Sequence, residues 1–186
     1  KYSDSLFIFQ ICKLLRVLDL GQVFLGENFP TEIEVLVELR YLAIRGMMQS
    51  IPSSIANLSN LETFILDVYL GDVMLPETIW NMTNLRHLCI SGSSGDISLA
   101  KDVHENFSIL YNLSTFSNLL LFIDPSMEKI LRKFPNIRRL KCELSEPEDP
   151  VPDCSRIVKM NFLSQLESLS LSLYFTEQRP IQFHFP

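Results

Sequence analysis

An α/β solenoid is the fold class this chain predicts. Short repeats stack so that a parallel β-sheet lines the concave side and short helical or 3₁₀ turns form the convex side. Three observations point there. The chain has 186 residues, of which 30 are leucine and only 6 glycine, an excess typical of coiled coils, membrane spans or leucine repeats. Ten prolines are spread through it, which a coiled coil does not tolerate. No apolar run approaches the roughly 18 residues that a membrane span needs. What remains is a repeat of long period.

The repeat is direct to read. Leu15-Arg-Val-Leu18-Asp-Leu20 is followed by Leu39-Arg-Tyr-Leu42-Ala-Ile44, Leu61-Glu-Thr-Phe64-Ile-Leu66 and Leu85-Arg-His-Leu88-Cys-Ile90. Weaker copies start at Leu113, Ile137 and Leu166. Successive starts lie 24, 22, 24, 28, 24 and 29 residues apart. Of the 21 core positions in these seven copies, only Asn118 is not apolar. This is the LxxLxL core of a leucine-rich repeat, and it predicts a horseshoe with its parallel sheet on the concave face. The leucines point inward from a short strand and the x residues point out, as a period of two requires. One unit cannot bury its apolar side alone, so neighbours must stack.

A second pattern precedes each core. Phe29-Pro30-x-x-Ile33-x-x-Leu36 leads to Leu39, Ile51-Pro52-x-x-Ile55-x-x-Leu58 to Leu61, and Leu75-Pro76-x-x-Ile79-x-x-Met82 to Leu85. Val103, Phe107 and Leu110 keep the spacing before Leu113, as do Met127, Leu131 and Phe134 before Ile137. A pitch of three to four predicts a helical or 3₁₀ turn on the convex side. Proline suits its start because no backbone donor is needed there.

The expected organisation is a single repeat domain over 1–186, with about seven units. Regular repeats of this kind often carry Asn or Cys nine positions into the unit; here Val23, Met47, Tyr69, Ser93, Leu121, Ser145 and Tyr174 stand there. A buried asparagine ladder is therefore expected to be missing and the loops irregular. The two long spacings read as loops, Gly92–Lys101 and Glu143–Asp153. The second places Pro147, Pro150 and Pro152 among five acids. The chain has no initiator Met, no signal-peptide pattern and no polar cap at either end, which reads as a piece of a longer protein.

At this point the residues resemble a family. "LLRVLDLGQVFLGENFPTEIEVLVELRYLAI", "SIPSSIANLSNLETFIL" and "LPETIWNMTNLRHLCI" are similar to the repeats of plant NB-ARC/leucine-rich-repeat disease-resistance proteins. The similarity is to the coiled-coil type from nightshades, late blight resistance proteins among them. It covers about residues 12–171. It implies a recognition and autoinhibitory module of an intracellular, cytoplasmic immune receptor. The implied partners are proteins: the receptor's own nucleotide-binding domain, a pathogen effector or a guarded host protein. ATP or ADP is implied only in that nucleotide-binding domain, and no cofactor is expected in this stretch. The alternatives are the ligand-binding repeats of a cell-surface receptor and the adaptor repeats of an F-box protein.

Catalytic and metal motifs are not met, so no enzymatic activity is expected. Gly21-Gln-Val-Phe-Leu-Gly26 has phosphate-loop glycine spacing, but Glu27 and Asn28 stand where Lys and Ser/Thr are required. Gly92-Ser-Ser-Gly95 misses the spacing of a hydrolase elbow. His87 and Cys89 share a strand face but supply only two ligands, where zinc takes three or four. Cys142 occupies a core position and no CxxC spacing exists. The sequons at Asn57, Asn81, Asn106 and Asn112 fall in the convex pattern, where Asn and Ser are ordinary surface residues. The net charge of −6 opposes a dedicated nucleic-acid binder, and no stable membrane insertion is expected.

The concave face carries the candidate partner-binding residues. Strands stacked about 4.8 Å apart place Glu62 between Arg40 and Arg86, with Tyr41, Thr63 and His87 beside them. That set reads equally as a self-satisfied charge ladder. Arg138, Arg139 and Lys141 put three cations on one strand, with only Glu167 opposite. They are the best candidate for an acidic partner. Pairing with the acidic stretch Glu143–Asp153 is the alternative.

Overall fold

The computed structural model describes residues 8–69, 73–92, 97–99, 108–146, 157–174 and 182–185. In chain order the strands are β1 (Val17–Phe24), β2 (Tyr41–Gly46), β3 (Thr63–Val68), β4 (Val73–Leu75), β5 (His87–Gly92), β6 (Ile97–Leu99), β7 (Thr115–Phe122), β8 (Arg139–Ser145), β9 (Ile157–Lys159), β10 (Ser168–Tyr174) and β11 (Gln182–His184). The helices are α1 (Ile8–Ile11) and α2 (Pro125–Leu131), with 3₁₀ turns at Thr31–Val35, Ser53–Asn57 and Glu77–Asn81. Seven strands (β1, β2, β3, β5, β7, β8 and β10) each begin two residues after an apolar start of the repeat. They pair in that order, all parallel. This is the expected solenoid.

The register stacks like on like. Leu18, Leu42, Phe64, Leu88, Phe116, Leu140 and Leu169 form one inward row across the sheet. Leu42 and Phe64 are fully buried, and Leu169 at the far end packs against the same core. Phe134 stacks on Trp80 with ring centroids 6.5 Å apart and meets Phe116 edge-on at 5.7 Å. Aromatic bulk thus spans the units whose spacing is irregular.

Two backbone patterns repeat from unit to unit. The carbonyl of the residue after each apolar start accepts two N–H groups of the next unit. Arg16 O takes those of Arg40 and Tyr41, Arg40 O those of Glu62 and Thr63, and Glu62 O those of Arg86 and His87. Arg86, Ser114 and Arg138 continue the series, with all distances between 2.8 and 3.1 Å. On the convex side each apolar residue donates to the carbonyl three residues back: Ile33 to Pro30, Leu36 to Ile33, Leu39 to Leu36, and likewise from Pro52 and Pro76. These i→i+3 bonds are why the convex apolar pitch is three. Before Ile137 the same side forms the α-helix α2 instead. Asp124 caps it by accepting the Ser126 N–H at 2.7 Å, and Pro125 sits in its first turn.

Four sequence expectations are corrected or refined. Asn118 is not a core residue: it sits at φ 60° where β7 shifts register, and Leu119 takes the core place opposite Cys142. Leu119 is fully buried. The bulge inserts one extra residue into β7 relative to β8, and asparagine tolerates that left-handed backbone. Second, Gly92–Lys101 is not loop throughout, because Ile97–Leu99 is a strand pairing with β4 and β7. Third, the span Glu143–Asp153 begins inside β8, which runs to Ser145. Residues 93–96, 100–107 and 147–156 lie outside the described residues, and with them Val103, Phe107, Asn106 and most of the acidic stretch. Fourth, an asparagine ladder does exist, at another position. Asn60, Asn84, Asn112 and Asn136, each just before an apolar start, donate their side-chain amides to Val37, Ser59, Thr83 and Tyr111 carbonyls at 2.9–3.0 Å. At or near the ninth positions, where regular repeats carry the buried ladder, backbone bonds join the units instead: Leu25 N–H to Arg45 O, Met47 N–H to Gly26 O and Tyr69 N–H to Gly46 O.

At the end of the chain, β11 pairs with β9 as β6 pairs with β4. Phe183 packs against the core while Phe185 is half exposed.

Two outcomes follow. A Cβ at Gly46 would lie 2.7 Å from the Gly26 carbonyl oxygen, so Gly46→Ala is expected to lower stability by about 1–3 kcal/mol, read as a drop in Tm. Asn84→Ala removes one rung of the ladder and is expected to cost about 0.5–1.5 kcal/mol. Asn57→Ala, in the preceding convex segment and outside the ladder, serves as control; equal losses for both would deny the ladder a role.

Candidate functional site

The outward rows of the sheet are set by the same register. One row runs Val17, Tyr41, Thr63, His87, Thr115, Arg139, Ser168. A second holds Asp19, Ala43, Ile65 and Cys89, with Ser117 beside it on β7 and Lys141 opposite Ser170 farther along. In β8 exposed and buried residues alternate, so Arg139 and Lys141 face out while Leu140 and Cys142 are in the core.

In the first half of the sheet two sets of charges satisfy one another, while Arg16 at the entrance to β1 has no ion pair among the described residues. Glu62 receives Arg40 at 3.0 Å and stands 3.5 Å from Arg86, the bridging position its place in the sequence indicates. Toward the strand ends Arg45 Nε lies 3.2 Å from Asp67 Oδ2. That nitrogen makes no aligned hydrogen bond, so the contact is one of charge. The Ser91 hydroxyl donates to Asp67 at 3.2 Å. His87 Nδ1 and the Thr115 hydroxyl are 3.1 Å apart, and Tyr41 and Thr63 are half-buried beside them. Pairs this exposed contribute at most about 1 kcal/mol each. They fix which charges remain available more than they stabilise the fold.

The second half differs. Arg138 donates to Glu167 at 2.9 Å. Arg139 and Lys141 are exposed and have no ion-pair partner among the described residues. The hydroxyls of Ser168 and Ser170 lie beside them in register and are exposed. The nine sequence-derived residues therefore divide. Arg40, Glu62 and Arg86 form one closed ladder, His87 bonds to Thr115, Arg138 is paired, and Arg139 and Lys141 stand open. Sequence reasoning missed Arg45, Asp67 and Ser91, although following the alternation past LxxLxL reaches them. It also missed Ser168 and Ser170, which the β8–β10 register brings to the cations.

Other chemistry finds no constellation here. Gly21 lies within β1 and its N–H donates to Asp19 at 2.9 Å; the Gly26 carbonyl accepts the Met47 N–H. Neither glycine cradles a phosphate. Among the described residues no three His, Cys, Asp or Glu side chains gather to hold a metal ion. Burial raises the Cys89 thiol pKa, partly offset by its hydrogen bond with Ser117, and burial alone pushes Cys142 up to about 12. Neither environment makes a reactive thiolate. Among the described residues no helix is long and apolar enough to cross a membrane.

The chain belongs to the leucine-rich repeat region family, whose match spans residues 2–183. It is similar to proteins of Solanum demissum. Over 160 residues it is 42% identical to the putative late blight resistance protein homolog R1B-16, covering 86% of this chain and 12% of that protein. Late blight resistance protein R1-A is also 42% identical, over 163 residues, with the same coverage. The putative late blight resistance protein homolog R1B-14 is 41% identical over 174 residues, covering 91% of this chain and 12% of its own length. The chain thus spans only a small part of these curated relatives. They agree with the resemblance read from the sequence.

The core thiol generates a pH prediction. The Cys142 pKa rises from 9.0 in the unfolded chain to about 12 in the fold. Its contribution to stability is therefore fully present below pH 9 and is lost as pH rises from 9 toward 12. The stability difference between wild type and Cys142→Ala is expected to be flat from pH 6 to 8 and to shrink above pH 9. Urea unfolding at several pH values checks this; an unchanged difference at pH 10 would contradict it.

Proposed function

We propose that this chain is the protein-recognition repeat module of a plant disease-resistance receptor, acting by binding and not by catalysis. Membership of the leucine-rich repeat family and the late blight resistance relatives support the class. The observation that carries the binding reading is the outward sheet face. Its side chains stand in register; Arg40, Glu62 and Arg86 are joined by ion pairs and Arg138 is paired with Glu167, while Arg139 and Lys141 have no ion-pair partner among the described residues. Rigid, ordered scaffolds of this kind present extended binding surfaces.

In this reading the module lies in the cytoplasm. It holds its own nucleotide-binding domain inactive and responds to a pathogen effector or to a host protein that the effector alters. Tyr41, Thr63 and His87 form one part of the surface, Arg40, Glu62 and Arg86 its pre-paired flank, and Arg138, Arg139 and Lys141 its cationic end.

The test is charge reversal in the full-length protein. Arg138→Glu with Arg139→Glu, expressed transiently in leaf tissue, is expected to change either cell death without pathogen or cell death on recognition. Wild-type behaviour in both assays, at equal protein level, removes the cationic end from the mechanism. A cell-surface receptor is the second reading, because the sequon residues Asn57 and Asn81 are exposed. The mass of plant-expressed protein separates the two: glycan at either asparagine supports the cell surface, and an unmodified mass opposes it.

A further inference from the structure

We infer that β8 and β10 form a docking track for an extended, acidic segment of a protein partner, with carboxylates on alternate residues. The inference rests on the binding reading above and specifies the partner chemistry of its cationic end. Arg139 and Lys141 are two residues apart on one strand and on one face, which sets them about 6.6 Å apart along it. Each has a serine in register on the next strand, Ser168 beside Arg139 and Ser170 beside Lys141, about 4.8 Å away. The unit is therefore a cation next to a hydroxyl donor, repeated once at the period of a β-strand. An extended peptide repeats its own side chains at that same period, so acids at i and i+2 would meet both units at once. A carboxylate accepts several hydrogen bonds, and both an ammonium or guanidinium and a hydroxyl can supply them.

The neighbourhood leaves this track open. Glu167, the acid nearest in the register, is taken by Arg138 at 2.9 Å. On the β7 side the Thr115 hydroxyl meets His87, and Ser117 accepts the Ile90 N–H at 3.1 Å. Glu143, next along β8 on the same face, is engaged in an interaction of its own. Elsewhere on the sheet the cations Arg40, Arg86 and Arg45 each have a carboxylate on the neighbouring strand. Against that pattern, two exposed cations flanked by serines are set up for an anion from outside.

The experiment uses the full chain and three fluorescein-labelled nonapeptides: alternating Asp-Ser, the same composition with its aspartates contiguous, and alternating Asn-Ser. Anisotropy at low salt is expected to show binding of the alternating acidic peptide, weaker binding of the contiguous isomer and none of the Asn-Ser peptide. Arg139→Ser with Lys141→Ser is expected to weaken binding about tenfold or more, and Ser168→Ala with Ser170→Ala by a smaller factor. Arg132→Ser, at the end of α2 and paired with Glu128 away from the sheet face, should leave it unchanged. Circular dichroism confirms that each variant is folded. Equal affinity for both acidic isomers, or for the Arg139/Lys141 variant, overturns the track. So does binding that appears only after the acids of Glu146–Asp153 are changed to amides, which would assign the track to the chain's own segment. The peptide assay does not depend on immune signalling, so its failure leaves the receptor reading to be judged by the leaf assay.

Discussion

Everything in this molecule depends on one repeated hydrogen-bond junction. At the entrance to each strand a single carbonyl accepts two N–H groups from the next unit, at all six junctions from Arg16 to Ser168. A carbonyl has two lone pairs, so the arrangement leaves neither unused. It locks the relative height of neighbouring units just before the strand begins. Every residue downstream then meets its equivalent in the next unit, which lets the leucine rows close into one core. It also lets the outward rows become straight lines of side chains.

The convex side answers a different constraint. It must return the chain within 22 to 29 residues while burying an apolar stripe. Successive i→i+3 bonds let Ile33, Leu36 and Leu39 bury their side chains while their N–H groups are satisfied by the residue three back. The exposed asparagines Asn60, Asn84, Asn112 and Asn136 then tie each return turn to the one before it. Backbone and amide bonds thus hold the two sides of the solenoid separately. The long interval between Leu85 and Leu113 contains the extra strand β6, and the next unit carries the bulge at Asn118.

The proposed binding surface sits on the side that the core does not use. The outward residues carry no burden of packing, so their charges are free to pair or to wait. Arg40, Glu62 and Arg86 pair; Arg139 and Lys141 do not among the described residues. The mild overall acidity of the chain conceals this local difference. A net charge describes solubility and long-range steering, but recognition at contact range depends on which neighbours the register supplies.

The sequence by itself determined the class of fold, the number and start of the main strands, the core rows and the proline-led convex turns. Each of these is a local periodicity, two along a strand and three along a turn, and burial enforces it within one unit. It also placed Glu62 between Arg40 and Arg86, because regular spacing predicts neighbours when the units are alike. The tertiary structure alone decided what happens where they are not alike. Asn118 gave up its core place to Leu119 because β7 bulges. A ladder of asparagines appeared one residue before each apolar start because the previous turn presents a carbonyl there. The repeat starts Ile137 and Leu166 already mark an interval of 29 residues, but only the stacking of one unit on the next fixes the register that lays Ser168 beside Arg139 and Ser170 beside Lys141.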